Sequence, residues 1–409
     1  MNVYFLKEKS MQFSANNNSR VWMDRVIRML VPLYYGVLFF IFVGEFKIFI
    51  GTSSVSLPIS FALISLIFLV RLLREDVIIT RNALILCAVA ALGILTTLLR
   101  DPGQLQRAIA AVIPLVVSAM ALVSLRAWPV DMNKARQAII YGGVVLALWT
   151  YLGFIQSFGV QGDYYDKKLM VETLLGRSNY LAAYLFFLAA TFFYQNKYLF
   201  LFFVGAILAT MSRGGILIIS LFILYIFWTD KKYSHIKYFT VFLSILFAMY
   251  LFFEYGYSIF MMLNDSEFKI PDSFNNRIIL WGFSIDLIAN SPLLGVGPNG
   301  FRSAIEAAGN MEDVWGAHNS ILLLWLNYGI VGLLLYLKYL HNVYREIAKA
   351  AHSEPIFQSI KIAFLFLLLF SLFEPLIGSV SFELLLAMLY ITAKNINRKD
   401  KTGPSLLAA

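Results

Sequence analysis

Residues 321–337 read ILLLWLNYGIVGLLLYL, a run without a single charged side chain. At roughly 1.5 Å per helical residue, such a run with its flanks crosses about 30 Å of hydrocarbon. Ile59–Val70, Ala108–Leu125 and Gly215–Trp228 repeat the pattern. Of 409 residues, 60% are hydrophobic and 14% are charged, whereas a soluble domain carries about 25% charged residues. The deficit places most of the chain in lipid. Apolar spans are expected near 29–44, 59–70, 83–99, 108–125, 138–158, 179–194, 198–211, 214–228, 238–263, 319–337, 361–373 and 376–393. The expected fold is therefore all-α: one polytopic integral membrane domain over 1–409, with about 12 transmembrane helices by hydropathy and its longest extramembrane piece, 264–317, before the tenth. The first run follows a long polar, basic segment and lacks a small-residue cleavage site, so it reads as a retained anchor.

The net charge is +9. In a membrane protein such an excess is topological signal, so nucleic acid is not an expected partner. With both termini cytoplasmic, most of the 33 basic residues fall on cytoplasmic segments, which favours that orientation over its inverse. The exceptions on the outer side are Lys47, Arg100, Arg107, Lys167, Lys168, Arg177, Arg213, Lys269, Arg277 and Arg302. The guanidinium is the better fork for phosphate. The lone cysteine, Cys87, can form no internal disulfide and does not report the redox compartment.

The outer piece carries its own signals. Asn275 and Asn276 offer helix N-caps. Ile278, Trp281, Ile285 and Ile288 then repeat at helical spacing, and Asn290-Ser291-Pro292 ends the run. This predicts an amphipathic helix with Arg277 in its first turn, a position equally compatible with a solvated polar face. Gly295-Val296-Gly297-Pro298-Asn299-Gly300 reads as a tight turn. It is neither a dinucleotide fingerprint nor a phosphate-cradling loop followed by Lys-Ser/Thr. Asn299 is placed to cap a short helix bearing Arg302. His318-Asn319 stands where the tenth span begins, and the free N–H groups there favour an anion. Ser212-Arg213-Gly214-Gly215 lies between two short spans; an arginine so near hydrocarbon either snorkels, pairs or lines a polar cavity.

In order along the chain, Arg277…Trp281, Ser291-Pro292-Leu293-Leu294-Gly295-Val296-Gly297-Pro298-Asn299-Gly300-Phe301, His318-Asn319-Ser320 and Tyr328-Gly329-Ile330-Val331-Gly332 resemble the O-antigen ligase and polymerase superfamily. Gly176-Arg177-Ser178-Asn179 and Ser212-Arg213-Gly214-Gly215 resemble its upstream motifs. The resemblance covers roughly 176–332. It implies a bacterial inner-membrane enzyme that takes a glycan from an undecaprenyl-pyrophosphate carrier on the periplasmic face. The acceptor would be lipid A-core or a growing glycan, with inversion at the anomeric carbon and neither cofactor nor metal. On that reading 264–317 is a periplasmic loop with short amphipathic helices. His318, Arg277, Arg302 and Arg213 are then the catalytic candidates, and Arg177, Asn319, Gly297 and Asn299 the substrate-binding ones. His235, His341 and His352 fall on cytoplasmic segments, which leaves His318 no histidine partner for a metal. Glu374, between the last two spans, is a candidate partner for an arginine or simply a turn residue before Pro375. Ligase is the leading expectation, polymerase the alternative. A lipid-linked sugar transporter would put its polar groups at mid-span, and a scaffold would need no arginine set beside a histidine.

Overall fold

The computed structural model describes residues 17–50, 53–73, 77, 79–125, 130–161, 164–176, 178–229, 272–307 and 316–402. The ninth expected span (238–263), Arg177, and the loop stretches 264–271 and 308–315 lie outside the described residues. Along the chain come α1 (Asn17–Val43), strands β1 (Glu45–Ile50) and β2 (Ser53–Pro58), α2 (Ser60–Leu73), α3 (Arg81–Arg100), α4 (Leu105–Ser124), α5 (Met132–Ser157) and α6 (Tyr164–Leu169). Then follow α7 (Ser178–Phe192), α8 (Lys197–Ala209), α9 (Arg213–Thr229), α10 (Asp272–Ala289), α11 (Gly300–Ala307), α12 (Ser320–Ala350), α13 (Pro355–Phe370) and α14 (Val380–Thr402).

Local chemistry sets several of the boundaries. A short polar side chain accepts from the orphan amides of a first turn. Thr80 does so for α3, with Ala83 N at 3.1 Å. Asp131 does so for α5 and Asn196 for α8. Helix α7, and α14 over 380–393, are largely apolar and are buried on nearly every side, as expected for the middle of a bundle. Helix α14 packs on α4 and α12, α12 on α3, and α13 on α7. Peripheral helices bury one face only. Leu95 and Leu99 of α3, and Leu148, Leu152 and Ile155 of α5, stay exposed. In water each such leucine would forgo about 1.5–3 kcal/mol of burial; against acyl chains nothing is forgone, since lipid tails are as apolar as leucine.

The protein is thus a helical membrane protein. Among the described residues, Arg81–Arg100, Pro102–Ser124, Met132–Ser157 and Ser320–Ala350 are long and apolar enough to cross a bilayer. Six further apolar helices are shorter. The expectation of a dozen spans therefore stands only in this coarser form.

Three departures matter for the site. Strands β1 and β2 form an antiparallel hairpin with Glu45 opposite Pro58 and Ile50 opposite Ser53, a short exception in a chain that is otherwise helical as expected. Next, α10 starts at Asp272, ahead of the proposed Asn275 and Asn276 caps, so Arg277 sits in the second turn. Its buried face carries Leu280, Ser284 and Ile288, while Ile278 and Ile285 are exposed. Packing against Phe301, Ile305 and Leu326 selected a different stripe from the most apolar one. Finally, α12 is broken at Gly329 (φ 64°, ψ −175°). The amide of Ile330, which an unbroken helix would direct at the Leu326 carbonyl, donates instead to Pro292 O at 3.0 Å. The Leu326 carbonyl accepts from Val296 N at 2.6 Å, and Trp325 Nε1 donates to Pro292 O at 2.9 Å. The loop 292–296 is stitched into the gap. A Cβ at position 329 would lie 2.0 Å from the Leu293 carbonyl oxygen.

Candidate active site

One end of the bundle gathers the polar residues from segments far apart in sequence. The α8–α9 turn is tight: Met211 takes a positive φ of 54°. Ser212 then caps α9, its Oγ accepting from Gly215 N at 3.1 Å, so Arg213 opens that helix. The same hydroxyl donates to Asn179 Oδ1 at 2.8 Å. Asn179, in the first turn of α7, also accepts from Lys168 Nζ at 3.4 Å. Its Nδ2 donates to Glu374 Oε1 at 2.7 Å.

Glu374 is the hub. Arg277 Nη2 lies 2.5 Å from its Oε1. His318 Nδ1 lies 3.7 Å from its Oε2, and that nitrogen has no hydrogen-bond partner among the described residues. The Glu374 side chain is 5% exposed, against 29% for Arg277 and 41% for His318. One turn after Arg277, Trp281 Nε1 donates to the Ala317 carbonyl at 2.9 Å. Helix α10 therefore holds both the arginine and the residue that precedes the histidine. Asn319 caps α12, accepting from Ile321 N and Leu322 N at 2.9 and 3.0 Å. Its Oδ1 is thereby committed to the helix start.

Burial pushes the Lys168 ammonium below the ordinary lysine range; Glu374 opposes the shift, and Arg213 and Arg277 add to it. Lys168 is thus near enough to feel the charges of Glu374, Arg213 and Arg277. Guanidinium and ammonium groups gathered in this way are of the kind that hold a phosphate group. No group of three or more metal-ligating side chains occurs among the described residues.

The remaining candidates sit elsewhere. Arg302 pairs with Glu306 at 2.7 Å on the same face of α11, and Arg107 approaches Glu306 at 3.9 Å. Gly297 (φ 86°) lies against α3, where a Cβ would meet Thr97 Oγ1 at 2.6 Å. Thr96 Oγ1 donates to the Leu294 carbonyl close by. Asn299 takes a φ of 71°; its carbonyl, not its side chain, receives Ser303 N at 3.2 Å. Its Nδ2 is buried without a partner among the described residues. The sequence marks Glu374 only as a possible partner or turn residue, and Lys168 only as one of the basic residues on the outer side. Their polar neighbours lie up to 195 residues away along the chain, so no local spacing could report them.

Fold and site together define a helical membrane protein with a cation-rich polar cluster at one end of its bundle. Residues 198–337 match the family model described as O-antigen ligase, which supports membership of the O-antigen ligase superfamily and a glycan-transfer role of the ligase or polymerase type. The matched stretch holds Arg213, Arg277, Arg302, His318 and Asn319; Lys168, Asn179 and Glu374 lie outside it. A search of curated proteins finds no match to the chain.

Proposed function

We propose that the protein transfers a glycan from undecaprenyl pyrophosphate to an acceptor on the periplasmic face of the inner membrane, as an O-antigen ligase acting on lipid A-core. The observation that carries the reading is the convergence of Arg277 and His318 on Glu374, with Arg213 and Lys168 close by. The family match supports the reaction class.

The leaving group of such a transfer is a pyrophosphate with growing negative charge. Fixed cations aimed at it lower the barrier without reorganisation. Arg277 and Arg213 are assigned that task, with Arg302 bordering the donor. Arg177 and Asn319, which the family motifs also suggest, would contact substrate, and Gly297 and Asn299 shape the loop beside it. His318 takes the proton of the acceptor hydroxyl, a contribution of about 10²–10⁴-fold in rate. Acyl-chain contacts with the apolar outer faces hold the polyprenyl tail. The scheme uses no metal ion and no organic cofactor.

Deleting the gene and resolving the host's lipopolysaccharide on a gel tests the reading. Long glycan absent from lipid A-core but retained on the polyprenyl carrier is the expected pattern. Lipid A-core bearing one repeat unit would assign a polymerase instead. An unchanged profile, with purified protein that transfers no glycan, would leave transport of lipid-linked sugar as the reading to pursue.

A further inference from the structure

We propose that Glu374 is the positioning residue of this site, selecting the ring tautomer of His318 while it anchors Arg277. The inference rests on the transfer reading above for its catalytic meaning, and on geometry alone for the tautomer. Glu374 is itself held fast. Ser320 Oγ donates to its carbonyl at 3.1 Å, and Tyr180 OH donates to the next carbonyl, that of Pro375, at 3.1 Å. The carboxylate is nearly closed to solvent, so it acts through its neighbours and not on substrate. Oε1 is taken up by Arg277 and Asn179; Oε2 faces His318 Nδ1.

An ionised carboxylate only accepts. The ring nitrogen turned toward it is therefore the one that carries hydrogen, and the Nε2 lone pair points away. His318 also adopts a φ of 46°, a backbone state that costs a non-glycine residue about 1–3 kcal/mol and persists only where its surroundings enforce it. Here the Asn319 cap on one side and the bond from Trp281 to Ala317 on the other enforce it.

In the transfer step, Nε2 takes the hydroxyl proton as the acceptor oxygen bonds to the anomeric carbon. The bond from that carbon to the pyrophosphate oxygen breaks, and its electron pair leaves with the pyrophosphate. The proton stays on His318 as imidazolium, whose positive charge lies beside Glu374.

The test uses full-length protein labelled with ¹⁵N-histidine in lipid nanodiscs, at a pH where the ring is neutral. The chain has 4 histidines, and His318→Ala assigns the signal. Expected is a predominantly Nδ1–H tautomer in the wild type and a shift toward the Nε2–H form in Glu374→Gln, whose amide can present a donor to Nδ1. An Nε2–H tautomer in the wild type overturns the proposal without reference to any variant, as does an unchanged signal in a folded Glu374→Gln. On the same samples, Glu374→Gln should lower kcat about 10–100-fold, less than general-base help as a whole supplies, with a smaller change in KM. Glu374→Asp should recover part of the loss. Equal kcat in Glu374→Gln and the wild type also overturns the proposal. Wild-type protein that transfers nothing would sink the transfer reading instead, and the tautomer result would still decide the role of Glu374.

Discussion

At the scale of single residues, the arrangement separates side chains that hold charge from those that hold shape. Arg277 donates to a buried carboxylate, and removing one partner of such a pair costs about 3–5 kcal/mol. Arg277→Lys keeps the charge but loses the planar fork. It should abolish most transfer while the membrane level of the protein, read by immunoblot, stays near normal; a parallel fall of both would make the arginine a structural residue only. Lys168 stands among like charges, so Lys168→Ala should raise the KM for a lipid-linked donor several-fold and leave kcat within about a factor of three, since uniform binding acts on KM. The sequence pointed to Arg277, Arg213 and His318 through their places in motifs that resemble the superfamily's, and for Arg213 also because an arginine so near hydrocarbon is costly unless it pairs or lines a polar cavity. It did not point to Lys168 or to the centrality of Glu374. Their partners come from α7, α10 and the start of α12, and nothing local in the sequence encodes a meeting across 97 or 195 positions.

At the scale of elements, caps and spans were legible and backbone irregularities were not. Asn319 caps α12 as its position before an apolar run suggests. The hairpin Glu45–Pro58 went unread because its alternation is brief and lies between two strong apolar runs. It docks on α14 through Ser381 Oγ and Glu45 Oε1, 2.5 Å apart. Burial raises the Glu45 carboxyl to about 7, and its bonds with Ser381 oppose the shift. A folded-state pKa above the unfolded one gives stability that is complete below the unfolded value, near 4.5, and is lost as pH rises through about 7. Thermal unfolding in detergent should therefore show the wild type weakening between pH 5 and 8. Glu45→Gln should flatten that decline; an identical pH dependence in both would detach Glu45 from hairpin stability. In the broken helix, Gly329→Ala places a methyl against the Leu293 carbonyl at a φ that disfavours a side chain. Loss of most folded protein is expected by fluorescence size-exclusion chromatography, and retention of a monodisperse peak would show that the loop can move aside.

At the scale of the whole molecule, composition alone pointed to a membrane protein, and the order of the motifs pointed to the O-antigen ligase superfamily, which the match over 198–337 supports. What composition could not supply is the depth of each helix, since several apolar helices are shorter than a bilayer and meet lipid only as parts of the bundle. The charge bias predicts both termini in the cytoplasm. A fluorescent protein fused to the C-terminus should glow and an alkaline phosphatase fusion at the same point should stay inactive, with the reverse pattern refuting the orientation. If fixed cations replace a metal, purified protein dialysed against EDTA should keep its turnover. The gap in α12 bears on how such a molecule is assembled. Alone in lipid, residues 326–330 have no partner but themselves, and bare amides in hydrocarbon cost several kcal/mol each. A straight helix is the form in which that segment satisfies its own backbone, and the broken form depends on the loop that takes over its hydrogen bonds. The loop 292–296 is thus a structural requirement of the helix that His318 precedes.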